Sequence, residues 1–208
     1  MSLTLIHTAE VHRATFEALR DRIAPGAVLR HVVRADWLAR AQGGIDGALT
    51  AEITEEIAAA GGKVLCSCTT LGPVAGAAGA IRIDQPMMQA AAEAGGAVML
   101  AYCLRSTEGP SLALLRHEMA AAGNNSAVVP LFLGQHWPLF EAGDGAGFAH
   151  ALAASLREAI LAGQPGCVVP DCVVLAQASM AGAAEVLGDL GVPVLSSPAL
   201  ALRAGLAV

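Results

Sequence analysis

The sequence predicts an α/β protein built on parallel sheet, and three observations carry the prediction. Short apolar runs bounded by Gly, Pro or Asp recur along the chain, Ala-rich stretches of helical length lie between them, and the runs are apolar throughout rather than alternating. Uniformly apolar strands are those buried on both faces, as in a parallel sheet covered by helices. The 208 residues suffice for one large domain or two small ones. With 55% hydrophobic and 14% charged residues the composition is that of a folded chain and not of a disordered one. Only 3% is aromatic, so Ala, Val, Leu and Ile must fill the core.

The expected strands are 3–7, 27–33, 63–66, a weaker 80–83, 97–103, 127–133, 172–176 and 192–195. The expected helices are 11–23, 50–60, 87–94, 111–122, 147–162 and 181–188. Thr50 precedes Ala51-Glu52-Ile53 and reads as an N-cap with acid in the first turn. Gly61-Gly62, Gly95-Gly96 and Gly123-Asn124-Asn125 stop three helices ahead of strands. The boundary between halves is expected near Gly95-Gly96, with no long Pro/Ser linker.

Several function classes are excluded. The formal charge is −6 and no Lys/Arg run is present, so nucleic acid is not an expected partner. The longest uncharged apolar run, 94–104, is well short of the roughly 18 residues a membrane span needs. Met1-Ser2-Leu3-Thr4 has no basic region leading into an apolar stretch, so no signal peptide is expected. The five cysteines, an odd number, point to reduced thiols in the cytoplasm. Cys66 and Cys68 are spaced C-x-C with no second metal-type pair, so no metal site is expected.

Parallel α/β sheets bind ligands outside the carboxyl ends of their strands, so the residues following each run carry the candidate chemistry. After the third run comes Cys66-Ser67-Cys68-Thr69-Thr70-Leu71-Gly72-Pro73. A thiol followed by two hydroxyl residues and a Gly suits a carboxylate, with Thr hydroxyls and loop N–H groups as donors. Cys68 there is placed to exchange a proton with an adjacent substrate carbon. The same residues equally fit a buried, inert cysteine with Ser/Thr capping the next helix. Cys66 reads as structural, on the expectation that strand alternation points it away from the face served by the Cys68 loop.

Other strand ends offer weaker signals. His7 suits orienting a carboxylate or acid/base work, and equally a hydrogen-bonded core histidine. His12 reads as a surface residue. Ser106 and Thr107 fit either anion binding or the cap of a helix beginning near Ser111. Ser196-Ser197-Pro198 reads first as a turn and helix start. His136-Trp137 fits a lid or packing at an interface. Cys103, Cys167 and Cys172 read as structural, and Glu55-Glu56 and the scattered Arg residues as a solvated face.

Taken in order, three segments resemble the aspartate/glutamate/hydantoin racemase superfamily. Val64-Leu65-Cys66-Ser67-Cys68-Thr69-Thr70 is similar to the first catalytic segment, where a strand runs into Cys-Asn/Thr-Thr, and aligns the catalytic thiol with Cys68. Val173-Val174-Leu175-Ala176-Gln177-Ala178-Ser179-Met180 is similar to the second, Leu-Gly-Cys-Thr/Ala-x-Met. Val192-Pro193-Val194-Leu195-Ser196-Ser197-Pro198 resembles the stretch that closes the first domain.

The resemblance implies two Rossmann-like halves with parallel sheets, related by a pseudo-twofold axis, with the site in the interdomain cleft. It places the first half at 1–95 plus 185–208 and the second at 96–184. It implies a homodimer or higher homo-oligomer and a small carboxylate or amino-acid-like substrate, with no cofactor and no metal. Family members remove the α-proton with one cysteine and return a proton to the opposite face with another, since inversion needs a group on each side. Here Gln177 stands where the second cysteine belongs, and an amide cannot serve as that acid or base at neutral pH. Cys172 lies at the wrong end of its strand to replace it.

The expected function is therefore cofactor-independent proton transfer at carbon next to a carboxylate, of racemase/isomerase type, with Cys68 as the single catalytic thiol. His7, Thr69, Thr70, Ser106, Thr107, Gln177, Ala178, Ser179 and Ser197 would bind substrate. A decarboxylase or lyase of a substituted dicarboxylate, and a non-catalytic small-carboxylate binding protein, are the alternatives. Relatives of arylmalonate decarboxylase type keep the second cysteine instead of the first, so that match fails residue by residue.

Overall fold

The computed structural model describes residues 2–161 and 169–208; Cys167 and the expected end of the helix at 162 lie outside the described residues. Two compact units are present, Met1–Pro86 with Ser197–Val208, and Met87–Ser196.

In the first unit β1 (Ser2–His7), β2 (Val28–Val33), β3 (Val64–Cys66) and β4 (Ile81–Arg82) form a parallel sheet in the order β2-β1-β3-β4. Helices α1 (Val11–Ile23), α2 (Ala35–Ala41), α3 (Gly47–Ala59) and α4 (Gly72–Ala77) connect them, and α10 (Ser197–Leu206) returns to pack on α1. The central strands are apolar on both sides because both faces are covered: every residue of β3 is buried, as are Leu3–His7 of β1. The edge strand β2 is half-exposed. One core face gathers Ile6, Trp37, Ile53, Val64, Cys66 and Leu71.

The second unit repeats the plan. Strands β5 (Val98–Tyr102), β6 (Val128–Phe132), β7 (Cys172–Leu175) and β8 (Val194–Ser196) form a parallel sheet in the order β6-β5-β7-β8. Helices α5 (Gln85–Ala94), α6 (Arg105–Ala121), α7 (Trp137–Glu141), α8 (Gly145–Leu161) and α9 (Ala181–Val186) accompany it. Phe148, Leu152, Leu156, Val173, Leu175 and Met180 centre its core. Trp137 packs against Phe140 and Phe148, with ring centroids 4.8 and 6.2 Å away; it is packed onto this core and is no lid. Among the described residues no helix is long and apolar enough to cross a membrane.

Several expectations change. The strand at 192–195 was expected to return to the first half, but β8 pairs with β7 in register Val173↔Val194 to Leu175↔Ser196. The chain therefore re-enters the first unit at Ser197 and not at 185, and it leaves that unit after Pro86 rather than at 95. The N-cap of α3 is Asp46, whose carboxylate accepts from Leu49 N–H at 2.7 Å; Thr50 lies inside the helix with its hydroxyl donating to Asp46 O. The helix expected from Ser111 starts earlier: α6 begins at Arg105 and runs through Pro110. Ser106 and Thr107 thus lie within the first turn rather than ahead of it.

The glycine stops hold for a physical reason. Gly96 has φ +71°, and a Cβ there would sit 2.3 Å from Asp171 Oδ2, the atom that accepts from Ala97 N–H. Only glycine lets the Asp171 carboxylate approach the start of β5 this closely. Replacing the α3 cap, Asp46→Ala, is expected to lower stability by about 1 kcal/mol, read as a lower urea midpoint at unchanged slope.

Candidate functional site

Both sheets reverse their strand order at the same place. From β1 the chain passes to β2 on one side and later to β3 on the other, so the carboxyl ends of β1 and β3 are the switch point of the first unit. The ends of β5 and β7 are the equivalent point of the second. Connections leave these adjacent ends in opposite directions, which keeps the strand ends from being covered by a crossing loop.

At the first crest the structure brings together His7, Thr8, Ser67, Cys68, Thr69 and Thr70, all buried. The Cys68 thiol faces the Thr8 hydroxyl and the N–H groups of Leu71 and Thr70. Burial pushes this thiol above its ordinary range, and the N–H of Leu71, the Thr8 hydroxyl and the N–H of Thr70 offset that in part. Cys66 is pushed up to about 12, chiefly by burial. Cys103 and Cys172, also raised by burial to about 12 and about 11, are inert core thiols.

Cys66 is structural, but not for the reason expected. Residues two apart on a strand share a face, and Cys66 and Cys68 pack in the same core cluster. The Cys66 thiol points at Cys68 O, 3.7 Å away. What separates the two is the turn, which gives Cys68 and not Cys66 the donors at the strand end.

His7 is buried, and both of its ring nitrogens are engaged. Nδ1 lies 2.7 Å from Ser67 Oγ and Nε2 lies 2.8 Å from His31 Nδ1. His31 Nε2 in turn meets Glu17 Oε1 at 3.0 Å. His12, expected at the surface, is buried, with its ring centroid 6.1 Å from that of His7. The first turn of α1 therefore turns His12 toward His7 rather than to the surface. Burial pushes His7 down to about 3, aided by the nearby His12, His31 and Arg13, and burial pushes His12 down to about 4.

One arginine departs from the expected solvated face. Arg82, at the end of β4, is largely buried and forks onto the fully buried Asp84, Nε to Oδ1 at 3.0 Å and Nη2 to Oδ2 at 2.8 Å. Its guanidinium lies over α4 where a Cβ at Gly72 would come within 2.9 Å of Nε. The glycine of the Thr-Leu-Gly turn therefore admits the arginine beside the Cys68 loop.

At the second crest Gln177 dominates. Its Oε1 accepts from Cys103 N–H at 2.6 Å and Leu104 N–H at 3.1 Å. The side chain after β7 thus bridges to the end of β5 and occupies the donors that open α6. Ala178 and Ser179 follow in a short 3-10 turn, and Thr107 is buried within the first turn of α6. Ser197 opens α10 in the first unit; its hydroxyl is buried with no hydrogen-bond partner among the described residues.

The predicted residues therefore fall into two groups: His7, Cys68, Thr69, Thr70 and Ser197 in the first unit, and Ser106, Thr107, Gln177, Ala178 and Ser179 in the second. Sequence reading missed Thr8, Ser67, His31, Glu17 and the Arg82–Asp84 pair. The signal available for His31 was a polar residue within an apolar strand; nothing local linked it to Glu17. Among the described residues no group of three or more His, Cys, Asp or Glu is placed to hold a metal ion.

No protein-family model matches the sequence, and no curated protein matches it. Solved structures do. The glutamate racemase of Francisella tularensis subsp. tularensis SCHU S4, in complex with D-glutamate, superposes with a TM-score of 0.70 at 11% identity, covering 99% of this chain and 80% of that one. The allantoin racemase of Klebsiella pneumoniae gives 0.63 at 20% identity, covering 100% and 86%. The glutamate racemase of Thermus thermophilus, in complex with beta-chloro-D-alanine, gives 0.67 at 15% identity, covering 99% and 79%. At these identities the likeness is one of fold: the chain has the two-unit α/β architecture of the glutamate and allantoin racemases.

Proposed function

We propose that the protein is a cofactor-independent enzyme that transfers a proton at a carbon adjacent to a carboxylate, with Cys68 as its acid/base group. The observation that carries this is the setting of Cys68: a thiol at the switch point of a parallel sheet, faced by one hydroxyl and two backbone N–H groups. Those donors stabilise a thiolate, and the neighbouring Thr69 and Thr70 suit the oxygens of a carboxylate. The racemase fold supports the same reading, since the solved relatives act on, or are bound to, amino-acid-like and ureide compounds.

A specific observation favours a second reading, in which the reaction uses this single thiol. Gln177 holds two backbone donors with its carbonyl oxygen, so it is neither acid nor base but a bracket. Proton return to a carbanion, as in decarboxylation, or addition to a double bond, as in isomerisation of an unsaturated dicarboxylate, needs only one thiol. Binding without turnover needs none.

The deciding experiment is proton NMR in D2O with aspartate, glutamate, hydantoins, allantoin, maleate and substituted malonates. Loss of an α-proton signal, or a new product, identifies an enzyme and its substrate class; binding with no exchange and no product supports the non-catalytic alternative. Cys68→Ser is expected to cut the exchange rate by at least about 100-fold with little change in unfolding temperature. Because Cys68 is raised above its ordinary range, its alkylation by iodoacetamide should still be accelerating with pH at pH 9, which peptide mapping of the alkylated protein would show. Gln177→Leu strands the buried Cys103 N–H and the half-buried Leu104 N–H and is expected to cost about 1–3 kcal/mol of stability, read from urea unfolding.

A further inference from the structure

A second chemistry-bearing cluster lies on the opposite face of the first sheet from Cys68. The register explains its membership. Leu5 stands opposite His31, and Ile6 opposite Cys66. Alternation then puts His7 and His31 on one face together with Ser67, while Ile6, Cys66 and Cys68 share the other. Helix α1 covers the first face and brings Glu17 to His31. The result is an unbroken chain, Ser67 Oγ to His7 Nδ1 at 2.7 Å, His7 Nε2 to His31 Nδ1 at 2.8 Å, and His31 Nε2 to Glu17 Oε1 at 3.0 Å. Its inner end lies at the crest, buried, and its outer end is a carboxylate in contact with solvent and paired through its other oxygen with Arg20.

We propose that Ser67, His7 and His31 form a proton relay from the crest of the first unit to Glu17 at the surface, by which a bound small carboxylate exchanges its proton with solvent. This rests on the reading of the crest as a proton-transfer site. Donor and acceptor rules fix how the chain is polarised. An ionised Glu17 only accepts, so His31 Nε2 carries hydrogen. With His31 neutral its Nδ1 accepts from His7 Nε2–H, and His7 Nδ1 accepts from the Ser67 hydroxyl.

Entry of one proton at the crest reverses every link. The substrate's proton bonds to Ser67 Oγ as the serine's own hydrogen passes to His7 Nδ1, and the hydrogen on His7 Nε2 passes to His31 Nδ1. Ser67 ends neutral, His7 ends neutral as the other tautomer, and the charge rests on His31 as an imidazolium beside the Glu17 carboxylate. Transfer of the His31 Nε2 hydrogen to Glu17 and then to water leaves both histidines as Nδ1–H tautomers, and the same steps reversed, from a proton taken up at His31 Nε2, deliver a proton to the substrate and restore the starting polarity. The groups facing this path are His12, Arg13 and Phe16 on α1 at His7, with Glu17 and Arg20 at His31. His12 and Arg13 both disfavour charge on His7, which is consistent with a link that changes tautomer and not charge. In the proposed relay His31 and Glu17 act through His7, and Ser67 is the group that would take the substrate's proton.

The test reads the histidine tautomers directly by long-range proton–nitrogen NMR of the 15N-labelled chain between pH 4 and 9. His7 is expected as the Nε2–H tautomer when His31 is neutral. It should switch to Nδ1–H as His31 takes up a proton, without itself becoming charged. A His7 that keeps one tautomer throughout, or that is Nδ1–H when His31 is neutral, overturns the relay. The second arm uses His31→Gln, with alkylation of Cys68 as the check on structure. Proton exchange slowed about tenfold with an altered pH profile, at an unchanged alkylation rate, supports the relay; equal losses in both make the chain merely structural and overturn it. If no carboxylate in the panel exchanges with the wild-type chain, the proposed function fails, and the tautomer switch still decides whether the chain conducts.

Discussion

The reversal of strand order beside each first strand is the constraint from which the rest of the structure follows. A parallel strand must be reached by a crossover, and crossovers leaving in opposite directions part over the ends of two neighbouring strands. The strands that flank that parting, β1 with β3 and β5 with β7, are the central and most deeply buried ones. Their interiors are therefore largely apolar, Thr4 of β1 being an exception, and the other buried polar side chains of these strands sit where the strands end. This is why His7, Cys68 and Gln177 lie at strand termini, while His31 lies on the half-exposed edge strand β2 and Glu17 on α1.

The two crests share a topology and differ in how their backbone donors are used. In the first, the turn after β3 aims N–H groups and the Thr8 hydroxyl at a side-chain sulfur. In the second, the side chain after β7 turns back and takes the N–H groups that follow β5. A buried N–H must be paired, so the donors at the second crest have an internal partner built into the sequence. The asymmetry lies in the acceptor: a thiol sulfur takes the donors at the first crest and an amide oxygen takes them at the second.

The fold class and the central strands were legible because uniform apolarity depends on local sequence alone. Val11–Ile23 is helical as read, and the glycine stops fall where left-handed φ is required. What escaped depends on neighbours distant in sequence. The helix expected from Ser111 begins at Arg105 instead, with Pro110 inside it. The strand at Val194–Ser196 could belong to either sheet until pairing with β7 decided it. At the site, Cys68, Thr69 and Thr70 were legible because they are consecutive. Thr8, His31 and Glu17 were not, since their meeting depends on register between β1 and β2 and on the seating of α1. His12 was misread because helical position alone does not say which side of α1 faces the sheet.

The energetics of Cys68 bear on the direction of the chemistry. Burial disfavours the thiolate, and the donors around the sulfur favour it; burial wins, so the resting group is a thiol. A thiol is an acid ready to give a proton, whereas a deprotonating base must first lose one. A substrate carboxylate arriving nearby adds negative charge and strengthens the preference for the protonated form. On the proposed function, proton donation to a developing carbanion is the half of the reaction that a protonated Cys68 performs without prior discharge. Removal of a proton needs a route by which the sulfur is first discharged, or a different group to accept it. In the second unit Gln177 supplies neither, because its one acceptor is bound to backbone. On the proposed function, a protonated Cys68 by itself serves the return of a proton, and abstraction falls to another group such as the proposed Ser67 relay.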